Sequence, residues 1–215
     1  MTGLVTLDDA RHDAQGSTID VRQGDTVRTV RLRALGAASI ERALQSLDAA
    51  VERGETLDEA IATLVVEQVA HRTEPRRAAD GALLLDDTGA TAVDDVRASL
   101  RVLADLGRSG LRTIAVIGPL AVDERDRFEV HDALGRIIVR LDVRQLVVIG
   151  HAARHLHMAA GLEGSWDGES VLMDDLGSAY DFVRATSGAD AVILISGGAD
   201  LDLGDLVERL SGDPS

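Results

Sequence analysis

The chain of 215 residues has no cysteine, no lysine and no asparagine. Without cysteine it can form neither disulfides nor thiolate metal sites, which suits a reducing compartment, and a cytoplasmic location is the expectation. Without lysine, all 22 basic residues are arginine, and the phosphate-binding loop Gly-x-x-x-x-Gly-Lys-Ser/Thr does not occur in any form. Arginine is no substitute there, because its planar fork is not the compact ammonium that reaches the β- and γ-phosphates. No stretch approaches the roughly 18 uninterrupted apolar residues of a membrane span. Met1 to Arg11 also lacks the basic-then-apolar order of a signal peptide. Positive charge is scarce: 37 acidic residues against 22 basic ones give a net charge of -15, which opposes binding to nucleic acid or an anionic membrane. The excess is concentrated in residues 80–215, with 24 acidic and 12 basic residues, whereas residues 1–79 hold 13 and 10.

A hydrophobic content of 45% is ample for one α/β domain and a smaller piece. In the smaller piece, Val5–Leu7, Thr18–Arg22 and Val27–Arg33 read as strands of an antiparallel hairpin or meander. Two helices should follow. The first runs from a Ser39 cap to about Val51, and the second from the capping box Thr56-Leu57-Asp58-Glu59 to about Ala70. The charged segment 71–80, with Pro75, reads as a hinge and sets the expected boundary between domains at 1–79 and 80–215. Beyond it, short apolar runs at 82–85, 113–117, 145–149, 170–173 and 191–195 alternate with helical patterns near 94–107, 125–141, 151–160, 175–187 and 203–210. This rhythm predicts a doubly wound, mostly parallel sheet of five or six strands with helices on both faces.

Asp86 to Leu100 follows the apolar run Gly81–Leu85 and enters a helix, so it occupies the strand-to-helix turn where open α/β sheets bind ligands. Its wording resembles the Mur ligase family, in the MurF type that adds D-alanyl-D-alanine to the peptidoglycan precursor. Leu35–Leu44 keeps the frame of L-x-G-x-H-N-x-x-N-A-L with Ala38, Ser39 and Arg42 in place of its His and two Asn. His71-Arg72-Thr73-Glu74 matches the family's G/H-R-x-E. Asp86 to Leu100 matches D-D-x-Y-N-A-N-P-x-S-M-x-A-A-L, keeping both aspartates and Arg97-Ala98 but carrying Gly89, Ala90, Ala92 and Val93 where the Tyr, two Asn and Pro stand. Ile114–Leu120 with His131 to Gly135 follows I-A-V-L-G-D-M…H-x-x-x-G, and Ile193–Ala199 follows V-L-V-K-G-S-R with the Lys and Arg lost. These segments, in order, carry a resemblance over nearly the whole chain. It implies a remnant of the central ATPase domain over residues 1–79, lacking the phosphate-loop half, and a Rossmann-like C-terminal domain over residues 80–215.

The resemblance implies a fold kept without the chemistry: a noncatalytic relative acting through a protein partner or as a homodimer, with no catalytic residue and no cofactor. The alternative is the C-terminal part of an ATP- and Mg-dependent amide ligase completed by another chain. Of the family's nucleotide contacts only Arg72 and Asp87 remain as vestiges, beside Asp86, Arg97, His131, Ser196 and Gly197 at motif positions. For Arg72 the favoured reading is a surface ion pair beside Glu74. Adjacent strand residues face opposite ways, so Asp86 and Asp87 form no dyad; Asp87 orients a ribose or metal, or caps the turn. His131 reads as a packed helix histidine rather than a general base. His151 and His155 share a helix face but lack a third ligand, so no metal site is expected. The Ser196-Gly197-Gly198 turn offers backbone N–H groups to an anion, but Asp200, Asp202 and Asp205 beside it repel phosphate and favour a structural turn. In the smaller piece, Val27, Val30 and Leu32 should meet Leu44, Leu47, Leu64 and Val65, within one chain, across a dimer or under another protein.

Overall fold

The computed structural model describes residues 3–163 and 166–212 and divides into two compact units, 1–69 and 70–215. In the first, strands β1 (Thr6–Asp13), β2 (Gly16–Gln23) and β3 (Thr26–Leu32) form an antiparallel meander. β1 extends six residues beyond the expected Leu7. Its pattern is masked by charge, because its Asp8 and Asp13 pair across strands with Arg22 and Arg31, and Arg11 with Asp20. One face of β2 and β3, made of Ile19, Val21, Val30 and Leu32, is buried against Ile40, Ala43, Leu47 and Ala50 of α1 (Ala37–Glu52) and Leu57 and Ala60 of α2 (Leu57–Thr63).

The helices therefore fold onto the strands of their own chain. Of the residues expected at the join, Val30, Leu32 and Leu47 are core and Leu44 and Leu64 pack on its margin, but Val27 is 40% and Val65 83% exposed. The period of two places Val27 on the face opposite Val30 and Leu32. Gly36, whose φ of 86° favours glycine, sits at the N-cap of α1, so Ser39 lies inside the helix rather than capping it. The Thr56 capping box is present, with Thr56 Oγ1 accepting from Glu59 N and Glu59 accepting from Thr56 N at 2.9 Å. α2 nevertheless ends at Thr63, well short of Ala70. Past it the backbone is extended at Leu64, and the Gln68 amide donates to Leu35 O at 3.2 Å and accepts from Leu35 N at 2.8 Å. That tertiary link wins over a short run of helical apolar spacing.

In the second unit, six strands pair in the order β4-β5-β9-β6-β7-β8: β4 (Glu74–Arg77), β5 (Leu83–Asp87), β6 (Arg112–Ile117), β7 (Gln145–Ile149), β8 (Glu169–Met173) and β9 (Ala191–Ser196). All neighbours are parallel except β4 on β5. The segment read as a hinge is thus an edge strand of the sheet, and the division falls between Val69 and Ala70 rather than after residue 79. An edge strand pairs on one side only, which is why Pro75 is tolerated in it. Among the described residues four α-helices connect the strands, α3 (Val93–Arg108), α4 (Arg127–Arg140), α5 (Arg154–Leu162, after a 3₁₀ turn at His151–Ala153) and α6 (Leu176–Thr186), and α7 (Leu203–Ser211) follows β9. Leu84, Ile114, Val116, Ile193 and Ile195 meet Ala179 and Val183 of α6 and Leu206 and Leu210 of α7. The alternate residues Leu85, Ala115, Ile117 and Leu194, also fully buried, face the layer to which α3 and α5 belong. Both faces of the sheet are covered, as in other mostly parallel sheets. Among the described residues no helix is long and apolar enough to cross a membrane.

Candidate functional site

The C-terminal ends of β5 and β9 bring the motif residues together. Asp87 is fully buried on the face that carries α3. Its Oδ1 accepts from the backbone N of Thr73 at 2.9 Å and from Thr73 Oγ1 at 3.2 Å, and its Oδ2 accepts from Ser196 Oγ at 2.6 Å. Ser99 of α3 closes the cluster at 3.1 Å from Thr73 Oγ1. Two effects compete at this carboxyl. Burial disfavours the charged form, while the hydroxyl and amide donors favour it; burial wins, raising the pKa from 3.8 to about 6. The hydrogen bonds of Asp87 go to Thr73 and Ser196, and the following turn is capped by Asp86 instead, so Asp87 ties strand ends together internally.

Asp86, one residue earlier, faces the other way, as the strand period requires. It is 1% exposed. Its Oδ1 accepts from Thr88 N and Oγ1 at 3.1 and 2.8 Å, and its Oδ2 lies 2.8 Å from His71 Nδ1 and 3.9 Å from the Arg76 guanidinium. Arg76 also pairs with Glu208 of α7 at 3.1 Å. His71 and Thr73 both adopt positive φ, 56° and 53°, and this irregular turn carries His71 to Asp86 and Thr73 to Asp87. His71 N also donates to Glu74 at 3.0 Å.

The Ser196-Gly197-Gly198 turn is the structural turn that its neighbouring aspartates favoured, its N–H groups being taken up by backbone carbonyls. Gly197 N donates to Ala90 O at 3.0 Å, and Gly198 N and Ala199 N both donate to Pro119 O at 2.8 Å. Gly197 and Gly198 have φ of 79° and 81°, and a Cβ on Gly118 would lie 2.7 Å from Gly198 Cα. The loops after β5, β6 and β9 are thus zipped backbone to backbone. His131, fully buried, pins the same region. Its Nε2 accepts from Leu120 N at 3.3 Å and its Nδ1 donates to Arg127 O at 2.7 Å. Those partners require one ring nitrogen to accept and the other to donate, which fixes the neutral tautomer; burial holds its pKa down. It is a packed histidine, as its helical setting suggested.

Arg72 forms an ion pair, with Asp95 in the first turn of α3 at 2.7 Å. Arg97 donates to Asp94 at 3.3 Å, while its Nε is buried with no hydrogen-bond partner among the described residues. His151 lies in the 3₁₀ turn and His155 on α5, where the His155 ring meets Phe128 edge-on at 4.7 Å. Thr73 and Ser99, which complete the Asp87 network, were not singled out in the sequence; for Thr73 the signal was its place between the matched Arg72 and Glu74. Nor was the approach of His71 and Glu74 to Asp86, although His71 opens the same matched segment.

Residues 71–199 match the family described as "Mur ligase, glutamate ligase domain". The UDP-N-acetylmuramoyl-tripeptide–D-alanyl-D-alanine ligase of Mycobacterium leprae is 34% identical over 99% of this chain and 44% of its own length. The enzyme of the same name from Mycobacterium tuberculosis strain H37Rv is 32% identical over 85% of the chain and 37% of its own length. Among solved structures, MurF from Acinetobacter baumannii superposes with a TM-score of 0.78 at 18% identity, over 98% of this chain and 45% of the other. MurF from Thermotoga maritima, solved in complex with ADP, gives 0.76 at 20% identity over 99% and 47%. The chain spans less than half the length of the curated relatives it matches. With the family's domain matched across residues 71–199 and MurF relatives and folds aligned over nearly its whole length, the chain belongs to the Mur ligase family.

Proposed function

We propose that the chain is a noncatalytic MurF-like protein of peptidoglycan synthesis, acting by binding a protein partner or a second copy of itself rather than by forming an amide bond. The observation that carries this reading is the inward closure of the strand ends. Asp87 is wholly buried among Thr73 and Ser196, and the N–H groups of the following turn are taken up by Ala90 and Pro119. Ser196 stands where the resemblance places the family's lysine. With a hydroxyl there instead of an ammonium, no cation at that position counters the burial of Asp87. Gly89, Ala90, Ala92 and Val93 replace the side chains that the resemblance assigns to nucleotide contact, and Arg72 is engaged with Asp95.

Calorimetric titration of the chain with ATP and Mg²⁺ is expected to show binding no tighter than about millimolar, or about -4 kcal/mol. Micromolar binding would overturn the reading and favour the alternative, the C-terminal part of an ATP-dependent amide ligase, for which the 34% identity over nearly the whole chain speaks. The partner half of the proposal rests on apolar side chains left in solvent, among them Leu4, Leu7, Val27 and Val65. Light scattering at micromolar concentration is expected to give a mass above the 22.7 kDa of one chain; a single-chain mass would remove the homodimer.

A further inference from the structure

We infer that His71, Glu74 and Asp86 form a binding site for one divalent transition-metal ion of the zinc class. A ligand atom from each of the three lies within 4.8 Å of the other two, a spacing that an ion can bridge with little rearrangement. The three come from two segments, His71 from the turn before β4 with Glu74 as the first residue of β4, and Asp86 from the end of β5, so an ion would cross-link the two strands and the turn. Asp86 is held ready for this. Thr88 N and Oγ1 both donate to its Oδ1, leaving Oδ2 directed at His71 Nδ1. Such hydrogen bonds to the far side of a ligating carboxylate orient metal ligands in general. The His71 side chain is 60% exposed, and His71, Thr88, Gly89 and Asp202 border an open cleft of about 300 Å³. An ion can therefore enter from solvent and keep water as a further ligand.

The donor set selects the metal. One imidazole nitrogen with two carboxylates suits zinc and its neighbours, whereas calcium and magnesium prefer oxygen alone. Charge points the same way. Asp86, Glu208 and Glu74 all act on the Arg76 guanidinium, so carboxylates outnumber that cation here and a divalent ion offsets the excess negative charge. Without metal, a hydrogen bond between His71 and Asp86 occupies the same position. Binding through Nδ1 replaces that hydrogen bond with the metal bond and leaves the imidazole proton on Nε2, as in the neutral tautomer that ligates metals. The proposal is independent of nucleotide binding, since it uses the face of β5 opposite to Asp87.

The test is a titration of the full chain with zinc chloride in metal-free buffer, followed by calorimetry and by thermal unfolding. One equivalent is expected to bind with micromolar affinity and to raise the unfolding temperature, because the ion binds the folded form. His71→Asn, which accepts the left-handed backbone at that position, and Glu74→Gln should each weaken binding at least tenfold. The double variant His151→Ala/His155→Ala should leave it unchanged, and magnesium at the same concentrations should neither bind nor stabilise. Absence of saturable zinc binding below about 1 mM would overturn the proposal. So would a site that survives His71→Asn or disappears in the His151/His155 variant.

Discussion

Asp87→Asn is expected to stabilise the fold by about 2 kcal/mol at pH 8 and to remove one component of its pH dependence. The folded-state pKa of Asp87 is raised from 3.8 to about 6, so the folded protein holds this proton more tightly than the unfolded chain does. Stability from this group is therefore greatest below pH 3.8, falls as pH rises from 3.8 to about 6, and is level above that. A rise of this size corresponds to about 3 kcal/mol favouring the neutral form. Asparagine is a neutral isostere: its carbonyl still accepts from Thr73 N, and its amide can donate to Ser196 Oγ once that hydroxyl turns. Other carboxyls, including Asp13, Asp58 and Asp175, have lowered pKa values and pull total stability the opposite way with pH. The measurement is therefore the difference between wild-type and Asp87→Asn denaturation free energies at each pH from 4 to 8. A variant less stable than wild type at pH 8, or two parallel curves, would defeat the argument.

Gly118→Val should cost about 3 kcal/mol, at the upper end of overpacking effects. The new Cβ would meet Gly198 Cα at 2.7 Å and Gly198 N at 2.9 Å. These are backbone atoms that cannot turn aside as a side-chain tip could. Relief requires parting the loops after β6 and β9, and with them the bonds from Gly198 N and Ala199 N to Pro119 O and from Gly118 N to Ser196 O. Gly161→Ala is the matched control. That glycine lies in α5 with nothing among the described residues within 4 Å of an added Cβ, so helix propensity alone predicts a gain of up to about 1 kcal/mol. Urea titrations should show the midpoint of Gly118→Val lowered at constant slope; an unchanged midpoint would mean that the loops separate freely.

The central strands were legible because Leu83–Leu85, Ile114–Ile117, Leu146–Ile149 and Val192–Ile195 are aliphatic runs of strand length between helical patterns. β4 was not. Glu-Pro-Arg-Arg carries no strand signal of its own and is strand only because Leu83 to Asp86 lie beside it. The overrun of α2 has the same origin, since Leu64 to Val66 continue a helical spacing that the distant contact between Gln68 and Leu35 interrupts. At the site, the opposed directions of Asp86 and Asp87 followed from the strand period alone. The partners did not: Ser196 meets Asp87 across 109 residues of chain, and the carbonyls that close the glycine turn belong to Ala90 and Pro119, on two other loops. Hydrogen-bond donors read from sequence are open only until tertiary structure assigns their acceptors.

The place of β9 sets the order in which the second unit can be built. It lies between β5 and β6, yet Leu83 and Thr113 have both been synthesised long before Val192, the residue paired with each of them, leaves the ribosome. Until then the β4–β5 pair and the β6-β7-β8 ribbon have no strand between them, and each presents an open edge of backbone N–H and C=O groups. Ribosome stalling or proteolysis before Ala191 would leave two adhesive half-sheets rather than a smaller domain, and protection from aggregation during synthesis depends on how soon β9 arrives to join them.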